Sequence, residues 1–493
     1  MTYLLAIDQG TSSTRAMLYT ASGQLFALSQ YPLKQIYKKP GWVEHDPEEI
    51  WQKTLKAVQD LLIKVSPKLI MACGITNQRE TTLIWDKKTG KCLAPAIVWQ
   101  DRRTKDYCEA LIEKSELIQK KTGLLPDPYF SASKLNWLLT NIPEAKALAA
   151  KNQLAFGTID SFLLWRLTGG KAHLTDVSNA SRTLLFNIFE QRWDEELLEL
   201  FEIPASILPQ VYASDAHFGF IDNQDLKLNC PITAIAGDQQ AALIGQRCFK
   251  AGMVKATFGT GGFLLMNTGE KPIISSHKLL TTIAYRIKGK THYGLEGSLY
   301  QAGTTVKWLC DAMKIIQSAA ETEQLASSLL SNEGVYLVPS FTGLGAPHWL
   351  STPGAAVVGL TLSSNNAHFA RAALESVCYQ TREVLTCMRE DSKMDLKLLR
   401  VDGGMTVNQW FLQFLSSQCR LTVQRPADIE TTAQGIAMLA AIGCGLNDSL
   451  ESLEKSWICQ QEFHPDSNKS SELDYLGWQN ALRMVKAAEL NKR

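Results

Sequence analysis

The sequence predicts an α/β protein built as two large halves with a ligand cleft between them. Three observations carry this. At 493 residues, with 45% hydrophobic and 20% charged side chains, the chain is long enough for two or three cores. Strand-like and helix-like patterns alternate along its first half. A strand, a turn of small polar residues and a second strand open the chain, and the same theme returns after residue 246.

Tyr3 to Ile7 is a short apolar run broken by Asp8-Gln9-Gly10, and Arg15 to Tyr19 resumes an extended pattern. Between them Gly10 is followed by Thr11, Ser12, Ser13 and Thr14, a tip that offers N–H groups and hydroxyls with almost no bulk. Asp46-Pro47-Glu48-Glu49 supplies an N-cap, a proline at the first helical position and a capping-box glutamate. Ile50, Trp51, Leu55, Val58, Leu61, Leu62 and Val65 then follow at helical spacing. Leu69 to Ile75 reads as a buried strand. It ends in the polar string Thr76 to Thr82, and the carboxyl end of a strand is where open α/β sheets bind ligands. Ala96 to Trp99 continues the alternation. Asp238 to Gly245 is a small-residue helix, and Gly252 to Leu265 restates the opening theme, which puts the boundary near residue 246. The polar stretch Ser467 to Glu472 reads as a surface loop.

Fifty Lys and Arg against 49 Asp and Glu leave a formal charge of +1, so no global field draws the chain to nucleic acid or to an anionic membrane. The opening residues lack a basic segment and a long apolar run, so no membrane insertion and a cytoplasmic location are expected. The 11 cysteines form no CxxC pair and read as reduced, mostly buried thiols.

Two turns that bring backbone N–H groups and small hydroxyls together suggest a nucleotide held between the halves; neither alone is specific, and no GxxxxGK[ST] string is present. A third turn, Val401-Asp402-Gly403-Gly404, precedes Asn408 and a helix with Trp410, Phe411 and Phe414. It either holds an adenosine against backbone or is simply a strand-to-helix turn that requires glycine. Asp238 follows an apolar strand and opens a helix, so it is either an N-cap or an exposed general base. Arg79-Glu80 is either a solvated pair or a donor fork beside an acceptor in a cleft, as a neutral hydroxyl-bearing ligand needs.

Taken in order, IDQGTSSTRA, GWVEHDPEEIW, GITNQRETT, AIVWQDRRT, DPYFSASKLNW, GTIDSFLLWRLT, TDVSNASRT, AGDQQAAL, FGTGGFLLMNTG, VPSFTGLGAPHW and VDGGMTVN resemble the glycerol kinase group of the carbohydrate kinase family, from about residue 4 to about residue 445. The resemblance implies two actin-like (ribonuclease H-like) ATPase domains, residues 1–246 and 247–493, and a homodimer or homotetramer. It implies ATP- and Mg²⁺-dependent phosphorylation of glycerol to sn-glycerol 3-phosphate. Carried over by position, it makes Asp238 the general base, and Arg79, Glu80, Tyr129, Asp238 and Gln239 the ligands of glycerol's hydroxyls, with Trp99 and Phe263 against its carbons. Thr11, Ser12, Ser13 and Arg15 belong to the first phosphate turn, Thr260 and Gly303 to the other side of the nucleotide, and Gly404 and Asn408 to the adenosine end. Asp8 meets Mg²⁺, with Asp238 on the same side. The chain departs from the family at Lys307, where many relatives have glutamine, which makes it a candidate for a phosphate or ribose contact. It departs again at His217 to Cys230, where a single glycine and no arginine stand in place of the loop that binds a regulatory bisphosphate in some members.

Overall fold

Two mixed sheets organise the chain in a computed structural model that describes residues 2–350, 354–466 and 470–490. The first sheet opens with an antiparallel hairpin, Tyr3–Gln9 with Ser13–Thr20, because Gly10 to Ser12 turns the chain in three residues. Tyr3–Gln9 is buried along its whole length, as a strand covered on both faces must be. It pairs in parallel with Ile70–Asn77, which pairs in parallel with Pro231–Gly237. The register aligns Gln9, Asn77 and Gly237, so Gly10, Gln78 and Asp238 all leave the sheet at one edge.

The second sheet repeats the plan. Val254–Phe258 and Gly262–Gly269 form an antiparallel hairpin, and Val254–Phe258 pairs in parallel with Leu398–Asp402. Seven strands are joined in this sheet against six in the first. The halves interlock beyond their connection: the helix Thr431–Gly443 packs on the first sheet and against Asp238–Gly245. That contact is backbone to backbone. A Cβ at Gly435 would lie 1.9 Å from the Ala241 carbonyl oxygen, and one at Gly245 would lie 1.9 Å from that of Thr431.

The helix Pro47–Leu62 is capped by Asp46, whose side chain accepts from the Glu48 N–H at 2.9 Å, and it buries Ile50, Trp51, Leu55, Val58 and Leu61. The capping-box expectation fails at Glu49, which pairs with Lys53 one turn further on, and Val65 lies past the helix end. The strand expected from Ala96 to Trp99 is only Ala96–Ile97. The loop expected at Ser467 to Glu472 also requires correction: residues 467–469 lie outside the described residues, and Ser470–Leu490 is a helix that buries Trp478. No helix among the described residues is long and apolar enough to cross a membrane.

His173 shows the first half's core acting on a titratable group. Its Nε2 lies 2.7 Å from the Phe156 carbonyl oxygen, its ring meets the Trp85 edge at 5.4 Å, and burial pushes its pKa down to about 4. The unfolded chain takes up this proton near pH 6.5 and the folded one only near 4, so the contribution is present above pH 6.5 and is lost as pH falls through that window. At pH 5 the loss is about 2 kcal/mol. The drop in Tm between pH 7 and pH 5 is expected to be smaller in His173→Gln than in the parent, measured by thermal denaturation at both values.

Candidate active site

The edge where Gln9, Asn77 and Gly237 end faces the second hairpin's turn, and a cavity of about 200 Å³ lies between them. All seven substrate-side candidates, Arg79, Glu80, Trp99, Tyr129, Asp238, Gln239 and Phe263, line it, together with Thr11, Ser12 and Thr260. Its volume is below the range of about 300–1,000 Å³ of drug-sized sites, which suits a small ligand. A larger open hollow of about 850 Å³ beside the edge strand Gly219–Phe220, lined by Lys171, His217 and Lys227 among others, contains none of the candidates.

Aromatic rings form one wall. Trp99 packs edge-on to Tyr129 at 5.6 Å and to Phe263 at 5.8 Å, and its indole N–H donates to Thr11 Oγ1 at 2.9 Å, tying the wall to the first turn. Charge forms the other. Arg79 donates through Nη1 and Nη2 to the two oxygens of Glu296, at 2.5 and 3.1 Å, and its Nε lies 3.3 Å from Asp238 Oδ1. Arg79 Nε also lies 3.9 Å from Glu80 Oε1; its remaining hydrogen bonds, to Gln240 and Tyr129, are 3.4 Å long and are the ones a ligand hydroxyl can displace at least cost. Arg182 donates to Glu80 Oε1 at 2.6 Å and to Glu296 Oε1 at 2.8 Å. Three basic side chains, Arg79, Arg182 and Lys255, stand close to three carboxyl groups, those of Glu80, Glu296 and Asp238. Burial favours neutral Glu296, but Arg182 and Arg79 overcome this and hold it at about 2.

Glu80 adopts a left-handed backbone, φ 61°, rare for a residue with a Cβ and typical of strain kept at functional sites. Asp238 is the first residue of its helix, whose N-cap is Gly237, so the N-cap reading does not hold. Its carboxylate accepts from the Gln239 N–H at 2.7 Å. Burial raises its pKa against the pull of Arg79 and Lys255, toward the range a base working near neutral pH requires.

The other candidates are placed less uniformly. Ser13 opens the second strand, and Arg15 pairs with Glu430. Gly303 begins the helix Gly303–Asp311 against the second turn, its N–H donating to the Gly259 carbonyl at 2.9 Å. A Cβ there would meet that oxygen at 2.7 Å. Lys307 is not brought to the cavity: it lies on the exposed face of this helix, 2.6 Å from Asp311. Gly403 has φ 92°, and a Cβ on it would lie 2.5 Å from the Phe258 carbonyl oxygen, so a steric requirement for glycine is met whatever the turn binds. Gly404 faces open space, while Asn408 caps the helix Gln409–Cys419 by accepting from Phe411 N–H at 2.8 Å. Neither lines the cavity.

Asp8 is buried, and its pKa rises to about 6, first through burial, against Arg15, and further through Asp238 and Glu430. Two carboxylates in mutual repulsion at the edge of a cleft fit a divalent cation. Among the described residues no cluster of three or more His, Cys, Asp or Glu could hold a metal ion.

Residues 3–245 match the N-terminal domain, and residues 254–444 the C-terminal domain, of the FGGY family of carbohydrate kinases. The chain belongs to this family. It is 51% identical to a glycerol kinase of Gluconobacter oxydans over 97% of this chain and 94% of the relative, and 52% identical to one of Alcanivorax borkumensis over 98% of both. A crystal structure of Plasmodium falciparum glycerol kinase with ADP superimposes with a TM-score of 0.91 at 37% identity, over 98% of each chain. A xylulose kinase of Lactobacillus acidophilus superimposes with a TM-score of 0.88 at 21% identity, over 99% of this chain and 98% of that one, which shows the shared fold. An FGGY kinase is a phosphotransferase with the two-domain actin-like ATPase fold, and the two sheets with their matched hairpin turns are that fold in this chain.

Three charged groups of the site escaped the sequence reading. Arg182 sits inside the string TDVSNASRT, 102 residues from Glu80, with no local sign of its partner. Lys255 and Glu296 did leave a signal: Lys255 is the one charge in the strand Val254–Phe258, and Glu296 is the one charge in the apolar and small-residue second half, Tyr293 to Leu299, of the strand Lys290–Leu299.

Proposed function

We propose that this kinase transfers the γ-phosphoryl group of ATP to a terminal hydroxyl of glycerol, giving sn-glycerol 3-phosphate and ADP. The observation that carries this is the small cavity itself. It sets a donor fork, a fixed carboxylate and a carboxylate of raised pKa against an aromatic wall, beside two backbone turns open to phosphate. Glycerol kinases of about 50% identity over nearly the whole chain support the same choice.

In this reading the second oxygen of Glu80 accepts from one hydroxyl, and Arg79, with Tyr129 and Gln239, holds another. Trp99 and Phe263 cover the carbon chain and exclude water. Asp238 takes the proton of the attacking hydroxyl as its oxygen bonds to phosphorus and ADP leaves. Thr11, Ser12 and Thr260 present hydroxyls and N–H groups to the phosphates, and the N-terminus at Gly303 adds its dipole. Asp8 and Asp238 would hold Mg²⁺, which when bound would neutralise charge on the phosphates. Gly404 and Asn408 stand at the adenosine end, and we assign Lys307 no contact in this conformation.

A coupled ADP assay across glycerol, xylulose, ribulose and erythritol tests the assignment. Glycerol is expected to give the highest kcat/KM, and a preferred ketose would overturn it. Phosphoryl transfer competes with hydrolysis unless water is shut out, so the halves are expected to close on the ligands. Small-angle scattering should show the radius of gyration fall with glycerol and a non-hydrolysable ATP analogue together; an unchanged value refutes closure.

A further inference from the structure

Lys255 and Glu296 stand in one row of the second sheet, since Lys255 pairs across with Leu265 and Leu265 with Glu296. Residues directly opposite one another project to the same face. Leu265 belongs to a core cluster with Ala236 and Ala241 of the first half, so this face is turned toward that half. Glu296 has its partners in Arg79 and Arg182. The partners of Lys255 carry the new inference.

The Lys255 side chain is fully buried, and an ammonium offers three N–H donors and no lone pair. It meets three acceptors: Gln239 Oε1, Thr257 Oγ1 at 3.0 Å and the Phe263 carbonyl oxygen at 3.4 Å. All three of those residues line the cavity, although Lys255 itself does not. A lysine cannot accept, so the atom of Gln239 that faces it has to be the carbonyl oxygen. The amide NH₂ is then turned away from the ammonium, and the Gln239 side chain favours the charged form of the neighbouring Asp238 carboxylate. With Lys255 absent, the amide would be free to rotate and set its oxygen against that carboxylate.

We propose that Lys255 is a positioning residue, which locks the Gln239 amide so that its NH₂ faces Asp238 and the substrate hydroxyl. Lys255 acts from the second half on a ligand of the first, so correct seating of the two halves and correct orientation of this ligand are one event. The substrate part of the proposal rests on the polyol reading above, and the test separates the two.

The wild-type enzyme is first assayed on glycerol, xylulose, ribulose and erythritol, which tests the reading of the substrate; the variants are then compared on whichever polyol it prefers. Lys255→Met, similar in length and without a donor, is expected to raise KM for the polyol about tenfold, the size of one lost hydrogen bond, while KM for ATP stays within about twofold. In a Gln239→Ala background the same change is expected to add less than about twofold, because its target is gone. An unchanged polyol KM in Lys255→Met, or effects that multiply in the double variant, would overturn the proposal. A thermal cycle needs no substrate and covers poor folding of Lys255→Met. Gln239→Glu is expected to keep or raise Tm while Lys255 is present, since a carboxylate then meets the ammonium, yet to raise the polyol KM by turning a donor into an acceptor. Its effect on Tm should become a loss in the Lys255→Met background where that variant folds. A lower Tm in Gln239→Glu with Lys255 present, or the same Tm change in both backgrounds, would show that Lys255 does not hold this amide.

Discussion

Asp238→Asn is expected to lower kcat by about 10² to 10⁴ while leaving the fold intact, because general-base removal typically costs that much. The structure sharpens both halves of this expectation. Asparagine keeps the oxygen that accepts from Gln239 N–H, and Gly237 rather than Asp238 occupies the N-cap, so no cap is lost. Arg79, whose Nε lies 3.3 Å from Asp238, keeps its two bonds to Glu296 and is not left unpaired. Burial already disfavours the Asp238 charge, so its removal should hold Tm steady or raise it. Coupled ADP release and thermal denaturation on the same preparation give the pair of numbers. Near-normal turnover would eliminate Asp238 as the base.

What the sequence made legible here is local. Gly10 to Ser12 was readable as a turn because no side chain larger than threonine stands there, and Asp46-Pro47 as a helix start because both residues act within one turn of themselves. Asp238 was readable as either cap or base, and the choice rested on whether Gly237 or Asp238 makes the non-helical step, which no spacing rule decides. The network around Arg79 was not readable: Glu296 lies 217 residues away and Arg182 belongs to a third segment, so their meeting is a product of the two sheets' register. Lys307 is the reverse case: the resemblance made it a nucleotide candidate by position, while the structure pairs it with Asp311 one turn along the same exposed helix face.

Glu80→Ala is expected to cost about 2 to 4 kcal/mol of transition-state stabilisation in kcat/KM, about 30- to 1,000-fold, with KM for ATP little changed. Two effects combine. The acceptor for a substrate hydroxyl disappears, and Arg182 loses the partner 2.6 Å from its Nε while its Nη1 already lacks one among the described residues. A fully buried guanidinium stripped of a carboxylate is destabilising, so Tm should fall as well. Glu80→Gln separates the two, since its carbonyl oxygen can still accept from Arg182: it should recover much of the Tm and only part of the kcat/KM. The backbone supplies a further control. At φ 61° alanine keeps the strain that glutamate bears, whereas glycine relieves about 1 kcal/mol of it, so Glu80→Gly should melt above Glu80→Ala although both lack the carboxylate. If kcat/KM for glycerol were unchanged in Glu80→Ala, the carboxylate would be holding Arg182 alone, and recognition of the substrate hydroxyls would have to be reassigned to Arg79, Tyr129 and Gln239.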